Sequence, residues 1–194
     1  MLISSVFIIL FLIRQVEIPG YTIKTKLNSK KQPNGCFLCY NIVGVIMKKE
    51  LVKNVKNIIF NEVPLVSNLS NISKLIYDSF EGTCWAGFYI CYEDLEEMYL
   101  GPFQGPVACT KISFDKGVCG ACVRRKESIL VPDVHKFEGH IACYSLTNSE
   151  VVVPIIKNNK VVGVIDLDSI NYNNYSIEDV FILEKVANII KDLF

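Results

Sequence analysis

The sequence has no net charge to steer a partner. Its 20 lysine and arginine residues are matched by 20 aspartate and glutamate residues, which removes the electrostatic footprint of a general nucleic-acid binder. Histidine is scarce, with only His135 and His140 in 194 residues, so a histidine-based metal centre has a single pair to draw on. No internal repeat and no low-complexity tract interrupts the chain, which excludes solenoid and array architectures. A comfortable membrane span is missing too. The apolar runs MLISSVFIILFLI (residues 1–13) and CFLCYNIVGVIM (36–47) fall short of the roughly 20 residues that cross a bilayer. The first run has the length of a signal-peptide core, but no basic residue precedes it and no small-x-small cleavage pattern follows. Residues 1–46 carry Arg14, Lys24, Lys26, Lys30 and Lys31 against Glu17 alone, leaving the rest of the chain mildly acidic. They read as a poorly ordered N-terminal extension, with a targeting or membrane-anchor role as the alternative. Residues 47–194 read as the folded domain, in a protein expected in the cytoplasm.

What the chain does have is cysteine: eight residues. A secreted disulfide framework is one explanation, but the chain is long and 51% hydrophobic, so it can build a core without staples. Zinc is another. Cys36/Cys39 and Cys119/Cys122 are C-x2-C pairs, yet they lie too far apart in sequence for a zinc ribbon, and no bound metal is expected. Four of the eight, Cys109, Cys119, Cys122 and Cys143, fall with both histidines between Gly101 and Glu150. They sit at the ends of short apolar runs, where thiols can meet one another and solvent. This stretch reads as a redox site.

Periodicity supplies the frame. Leu51, Val52, Val55, Ile58, Ile59 and Val63 recur at helical spacing over residues 48–63, which Pro64 should end. A second helix, with Ser67 or Asn68 as its cap and Leu69, Ile72, Leu75, Ile76 and Phe80 as its stripe, should stop at Gly82. CWAGFYICY (84–92) reads as a strand buried on both faces, with MYLGPF as its hairpin partner after an acidic turn. Short strands are expected at 107–112 and 129–131, with a short helix from Gly117 between them, and residues 132–146 as a long loop. Strands 150–156 and 160–167 flank the hairpin signal Asn158-Asn159. Ser176-Ile-Glu-Asp179 is a capping box opening the last helix. Hairpin-linked strands with few helices argue an α+β fold, a mostly antiparallel sheet with helices packed on one face.

The chemistry-bearing residues fall into three groups. Cys119, in the first turn of a helix, gains thiolate character from the helix dipole. Cys143, three residues after His140, would gain it from a protonated imidazole if the loop brought the two together. The residues alone lean slightly to Cys119. Cys84 and Cys91, inside the aromatic strand, read as small buried hydrophobes. Asp166 and Asp168 share one strand face by the period of two, and Glu150 opens the neighbouring strand. Three such carboxylates repel unless a cation lies among them, either a lysine or arginine of the chain or a ligand ammonium. Trp85 and Tyr89 also share a strand face, as core packing or as a ligand wall.

The runs NLSNISKLIY, WAGFY, LGPFQGPVAC, GVCG, LVPDVHKFEGHIAC, NSEVVVP and GVIDLDS together resemble the free methionine-(R)-sulfoxide reductases, single GAF-domain enzymes. The resemblance covers residues 48–194, and it implies a GAF-like domain and an oxidoreductase acting on the free amino acid. It implies that Cys143 is the nucleophile that attacks the sulfoxide sulfur, Cys109 the resolving cysteine and Cys119 an alternative resolver, overruling the lean to Cys119. It implies that Glu150, Asp166 and Asp168 hold the substrate ammonium, with Glu150 or Asp168 assisting the chemistry. Trp85 and Tyr89 would wall the methyl and sulfur, and Ile141 and Ala142 would line the substrate beside Cys143. No cofactor would be bound. Thioredoxin would reduce the resulting disulfide, drawing on NADPH indirectly. Cys122 is extra to the pattern and raises a Cys119–Cys122 pairing as an alternative. A homodimer stays open, and the competing reading is a non-catalytic GAF module sensing an amino-acid-like ligand.

Overall fold

A computed structural model describes residues 48–141 and 143–194. The expected N-terminal extension and Ala142 lie outside the described residues. Residues 48–58 form helix α1, with Leu51 and Val55 buried. The helix expected over 48–63 therefore ends early. The side chain of Asn68 accepts a hydrogen bond from the Phe60 backbone N–H at 3.1 Å and donates to its carbonyl at 2.8 Å, taking both groups out of helical pairing. Asn68 thus acts as a clasp between helices, not as a cap. Pro64 instead occupies the N-cap position of α2, Leu65–Ser79, where its fixed φ suits a helix start.

Six strands follow: β1 Thr83–Tyr92, β2 Glu97–Gln104, β3 Lys111–Ser113, β4 Ile129–Val131, β5 Ser149–Lys157 and β6 Lys160–Ser169. They form one antiparallel sheet in the order β3-β2-β1-β6-β5-β4. Between β3 and β4 lies the short helix α3, Gly117–Arg125, and α4, Ile177–Ile190, follows β6. The β5–β6 hairpin turns at Asn158 and Asn159, both with positive φ (51° and 63°), as a two-residue primed turn requires. The capping box at Ser176 and Asp179 forms as expected. A strand expected over 107–112 survives only as β3; Val107 is 87% exposed and has no core face to reward pairing.

Side-chain alternation divides the sheet. Ala86 and Phe88 of β1, Val151, Val153 and Ile155 of β5, and Ile165 and Leu167 of β6 point to one face and pack under α1, α2 and α4. That is the main core, and it matches the helical face expected from the sequence. Trp85, Tyr89, Val152 and Val164 point to the other face and meet α3 and the loops. The helix α3 comes close because Gly120 has no side chain. A Cβ there would stand 2.6 Å from the Phe114 carbonyl oxygen and 3.0 Å from that of Ser113.

Backbone oxygens cannot rotate away, so Gly120→Ala should push α3 away from the end of β3 and the turn that follows it. We expect it to destabilise the domain by about 1–3 kcal/mol, read as a lowered melting temperature; an unchanged value would contradict this packing.

Candidate active site

The second face of the sheet carries the site, and strand register sets its rows. Trp85 of β1 pairs with Asp168 of β6, and Asp168 pairs with Glu150 of β5. The next row places Gly87 opposite Asp166 and Asp166 opposite Val152. Directly opposed residues in antiparallel strands hold their Cβ atoms about 5 Å apart, so three carboxylates from two strands share one patch. Gly87 leaves room above it for the indole of Trp85: a Cβ would lie 2.7 Å from the Trp85 ring and 2.4 Å from Phe103 Cβ. Trp85 stacks between Phe103 (centroids 5.4 Å) and Tyr89 (5.9 Å), and the Tyr89 hydroxyl donates to the Cys109 carbonyl at 3.0 Å. The aromatic wall therefore reaches from the carboxylates to the loop of Cys109.

The loop after β4 folds back over this patch. Gly117 N–H donates to the Gly139 carbonyl at 3.2 Å, tying the loop to the start of α3. Asp133 caps a short turn by accepting from His135 N–H at 3.1 Å. The loop thereby brings Cys143 to Cys109, and the two form a disulfide with Cα atoms 5.5 Å apart. It also sets His140 against Glu150, with Nε2 3.4 Å from Oε2. The result is a cavity of about 440 Å³, counting its open mouth, lined by Trp85, Tyr89, Cys119, His140, Ile141, Cys143, Thr147, Glu150, Asp166 and Asp168 among others. The sequence-predicted residues Cys143, Cys109, Cys119, Glu150, Asp166, Asp168, Trp85, Tyr89 and Ile141 all gather here. The His140–Glu150 contact and Thr147 escaped sequence reasoning, because loop closure leaves no periodic signal.

Charge in this cavity is costly. Glu150 and Asp166 are each 6% exposed. Burial, then the neighbouring Asp168, pushes the Glu150 carboxyl well above its ordinary range. Burial and then Glu150 do the same to Asp166, and burial and then Asp166 to Asp168. No lysine or arginine lines the cavity among the described residues, so the alternative of an internal cation is not met there. Burial also lowers the pKa of His140, which disfavours its charged form, and its ring contacts Glu150, so the protonated imidazole expected to activate Cys143 is not favoured. Three buried polar atoms of the lining have no hydrogen-bond partner among the described residues: Trp85 Nε1, Thr147 Oγ1 and Asp166 Oδ1.

Cys119 corrects one expectation. It lies in the first turn of α3 but is 2% exposed, and burial followed by Asp166 and Glu150 drives its pKa far up. The helix dipole loses to desolvation and to two carboxylates. Its thiol donates to Asp166 Oδ2 at 3.3 Å, and one ligand atom each from Cys119, Glu150 and Asp166 lie within 4.8 Å of one another, the one cluster with metal-ligand spacing among the described residues. Cys122 is free and buried, its thiol donating to the Val152 carbonyl; no Cys119–Cys122 bond is present. Cys84 and Cys91 are half-buried, less enclosed than expected, and burial raises their pKa to about 11 and about 12.

Residues 68–193 match the GAF domain family. Over 148 residues the chain is 45% identical to the free methionine-R-sulfoxide reductase of Saccharomyces cerevisiae, an alignment spanning 73% of this chain and 82% of the yeast protein. It is 38% identical to the Escherichia coli protein of the same name, covering 67% of this chain and 78% of the relative. Among solved structures, the free methionine-R-sulfoxide reductase of Neisseria meningitidis in complex with its substrate superposes with a TM-score of 0.66 at 32% identity, covering 87% of this chain and 94% of that one.

The raised carboxyl pKa values have a consequence for stability. A folded state that holds protons more tightly than the unfolded chain has that stability fully present below the unfolded carboxyl pKa, about 4, and loses it as pH rises through the raised folded value. Asp166→Asn removes the ionisable group. We expect it to raise the neutral-pH melting temperature by about 2–4 °C, an advantage that vanishes near pH 4. A melting temperature that falls at neutral pH would refute the desolvation account.

Proposed function

The chain belongs to the free methionine-R-sulfoxide reductase family of GAF-domain proteins, and on that premise we propose that it reduces free L-methionine-(R)-S-oxide to L-methionine. The observation that carries this is the unmet need of the cavity. Buried carboxylates with raised pKa values, one of them with an unpartnered oxygen, face a space with no lysine or arginine on its walls among the described residues. An α-ammonium group answers that need, and a peptide nitrogen, which carries no charge, does not. The zwitterion then lies with its side chain along Trp85 and Tyr89 and its sulfur toward Cys143, with Ile141 closing the loop side.

In the proposed reaction the Cys143 thiolate attacks the sulfoxide sulfur. A Cys143 Sγ–sulfur bond forms and one proton is taken up by the oxygen. The S–O bond breaks and the oxygen passes to Cys143 Sγ as the Sγ–sulfur bond breaks, so that methionine departs and Cys143 is left as a sulfenic acid. Glu150 or Asp168, each held above the ordinary carboxyl range, supplies the proton to the developing oxygen. The Cys109 thiol then condenses with the sulfenic acid, releasing water and forming the Cys109–Cys143 disulfide. The observed bond between these residues supports that pairing over Cys119, whose thiol is buried and bonded to Asp166. Thioredoxin, as a dithiol, restores both thiols by exchange and becomes oxidised itself. A reductant of that kind fits a reducing compartment such as the cytoplasm.

NADPH oxidation coupled through thioredoxin and its reductase measures the reaction. We expect turnover with the free R epimer and little with the S epimer or with peptide-bound methionine sulfoxide. Cys143→Ser should lower the rate by about three orders of magnitude or more, and Asp168→Asn should lower kcat/KM by roughly 30-fold through the lost charge contact. Tight binding of methionine sulfoxide without any turnover would overturn the proposal in favour of a sensing module.

A further inference from the structure

We propose that the floor of the cavity is also a site for a soft divalent cation such as Zn2+, held by Cys119 Sγ and by the carboxylates of Glu150 and Asp166. These three atoms approach one another within 4.8 Å. Ligand atoms on a tetrahedral zinc, bound at about 2.0–2.3 Å, stand about 3.5 Å apart. Cys119 Sγ and Asp166 Oδ2, at 3.3 Å, already hold that separation, and a Glu150 oxygen lies within 4.8 Å of the cluster.

The chemistry selects the ion. One sulfur and two carboxylate donors suit zinc and exclude the all-oxygen shells that calcium and magnesium require. Asp166 Oδ1, buried and without a partner, leaves this carboxylate able to take a cationic partner, the dication as well as the substrate ammonium. His140 Nε2 lies 3.4 Å from Glu150 Oε2 and orients that carboxylate from outside, as outer-shell partners of metal ligands do. On binding, the Cys119 S–H proton and any proton held by the Glu150 and Asp166 carboxyls pass to solvent, and S–metal and O–metal bonds replace them with no change of oxidation state. The dication and the substrate ammonium need the same carboxylates, so the ion would block the reductase site.

This donor set is separate from Cys36 and Cys39, which also have metal-ligand spacing, so both are replaced by serine in the full-length test protein. It is studied with Cys109 and Cys143 oxidised, which removes their thiols from competition. Co2+ titrated into it should give one ion per chain and a thiolate-to-cobalt charge-transfer band that Zn2+ then abolishes. Cys119→Ser should eliminate the band, and Asp166→Asn should weaken binding at least about tenfold. Asp166→Asn carries the test if the cysteine variant does not fold. Absence of the band, or a band and affinity unchanged by the substitutions, overturns the proposal. The measurement involves no turnover, so it and the reductase assay can fail separately.

Discussion

Everything on the second face of the sheet follows from one cost: carboxylates taken out of water next to one another. Register places Glu150 opposite Asp168 on adjoining strands, and Asp166 follows one row along. Like charges in direct opposition weaken a sheet, and burial adds a further penalty. The strands hold because their other faces are packed. Val151 and Val153 alternate with Glu150 and Val152, and Ile165 and Leu167 alternate with Asp166 and Asp168. Each acidic residue is carried by neighbours whose apolar side chains lie under α1, α2 and α4. Burying a valine or leucine side chain contributes about 1.5–3 kcal/mol, so a few such neighbours offset the strain of the site. The helical face is what makes the charged face tolerable.

The sequence made the strands and their polarity legible because alternation is a local property. Asp166 and Asp168, or Trp85 and Tyr89, must share a face once each run is extended. The capping box at Ser176 and the Asn158-Asn159 turn were legible for the same reason, being satisfied by residues within a few positions. The ends of α1 and β3 were not. Helical spacing continues past Ile58, but Asn68, eight residues beyond Phe60, captures the backbone that would have extended the helix. Cys119 was misjudged on local grounds: its place in the first turn of α3 is real, while its burial and its two acidic neighbours come from β5 and β6. Only the family resemblance, not spacing, singled out Cys143.

The two kinds of cysteine in the cavity show how position divides labour. A thiol among carboxylates is a poor nucleophile, since its anion must form beside negative charge and out of water. That is the setting of Cys119, whose thiol donates to Asp166 and helps hold that carboxylate in place. Cys109 and Cys143 lie outside the strands and helices, joined at the edge of the cavity. On the proposed mechanism both must meet a small substrate and then a protein reductant, and loops at a cavity mouth permit both encounters. On the same proposed mechanism, the acid that protonates a leaving oxygen and the thiolate that attacks need opposite environments. The sheet supplies the first by burying carboxyls in register, and the returning loop supplies the second by stopping short of them. A thiol built among the carboxylates in place of Cys143 would share the penalty of Cys119, so the long connection between β4 and β5 is the part of the fold that would let the proposed nucleophile and acid coexist within one cavity.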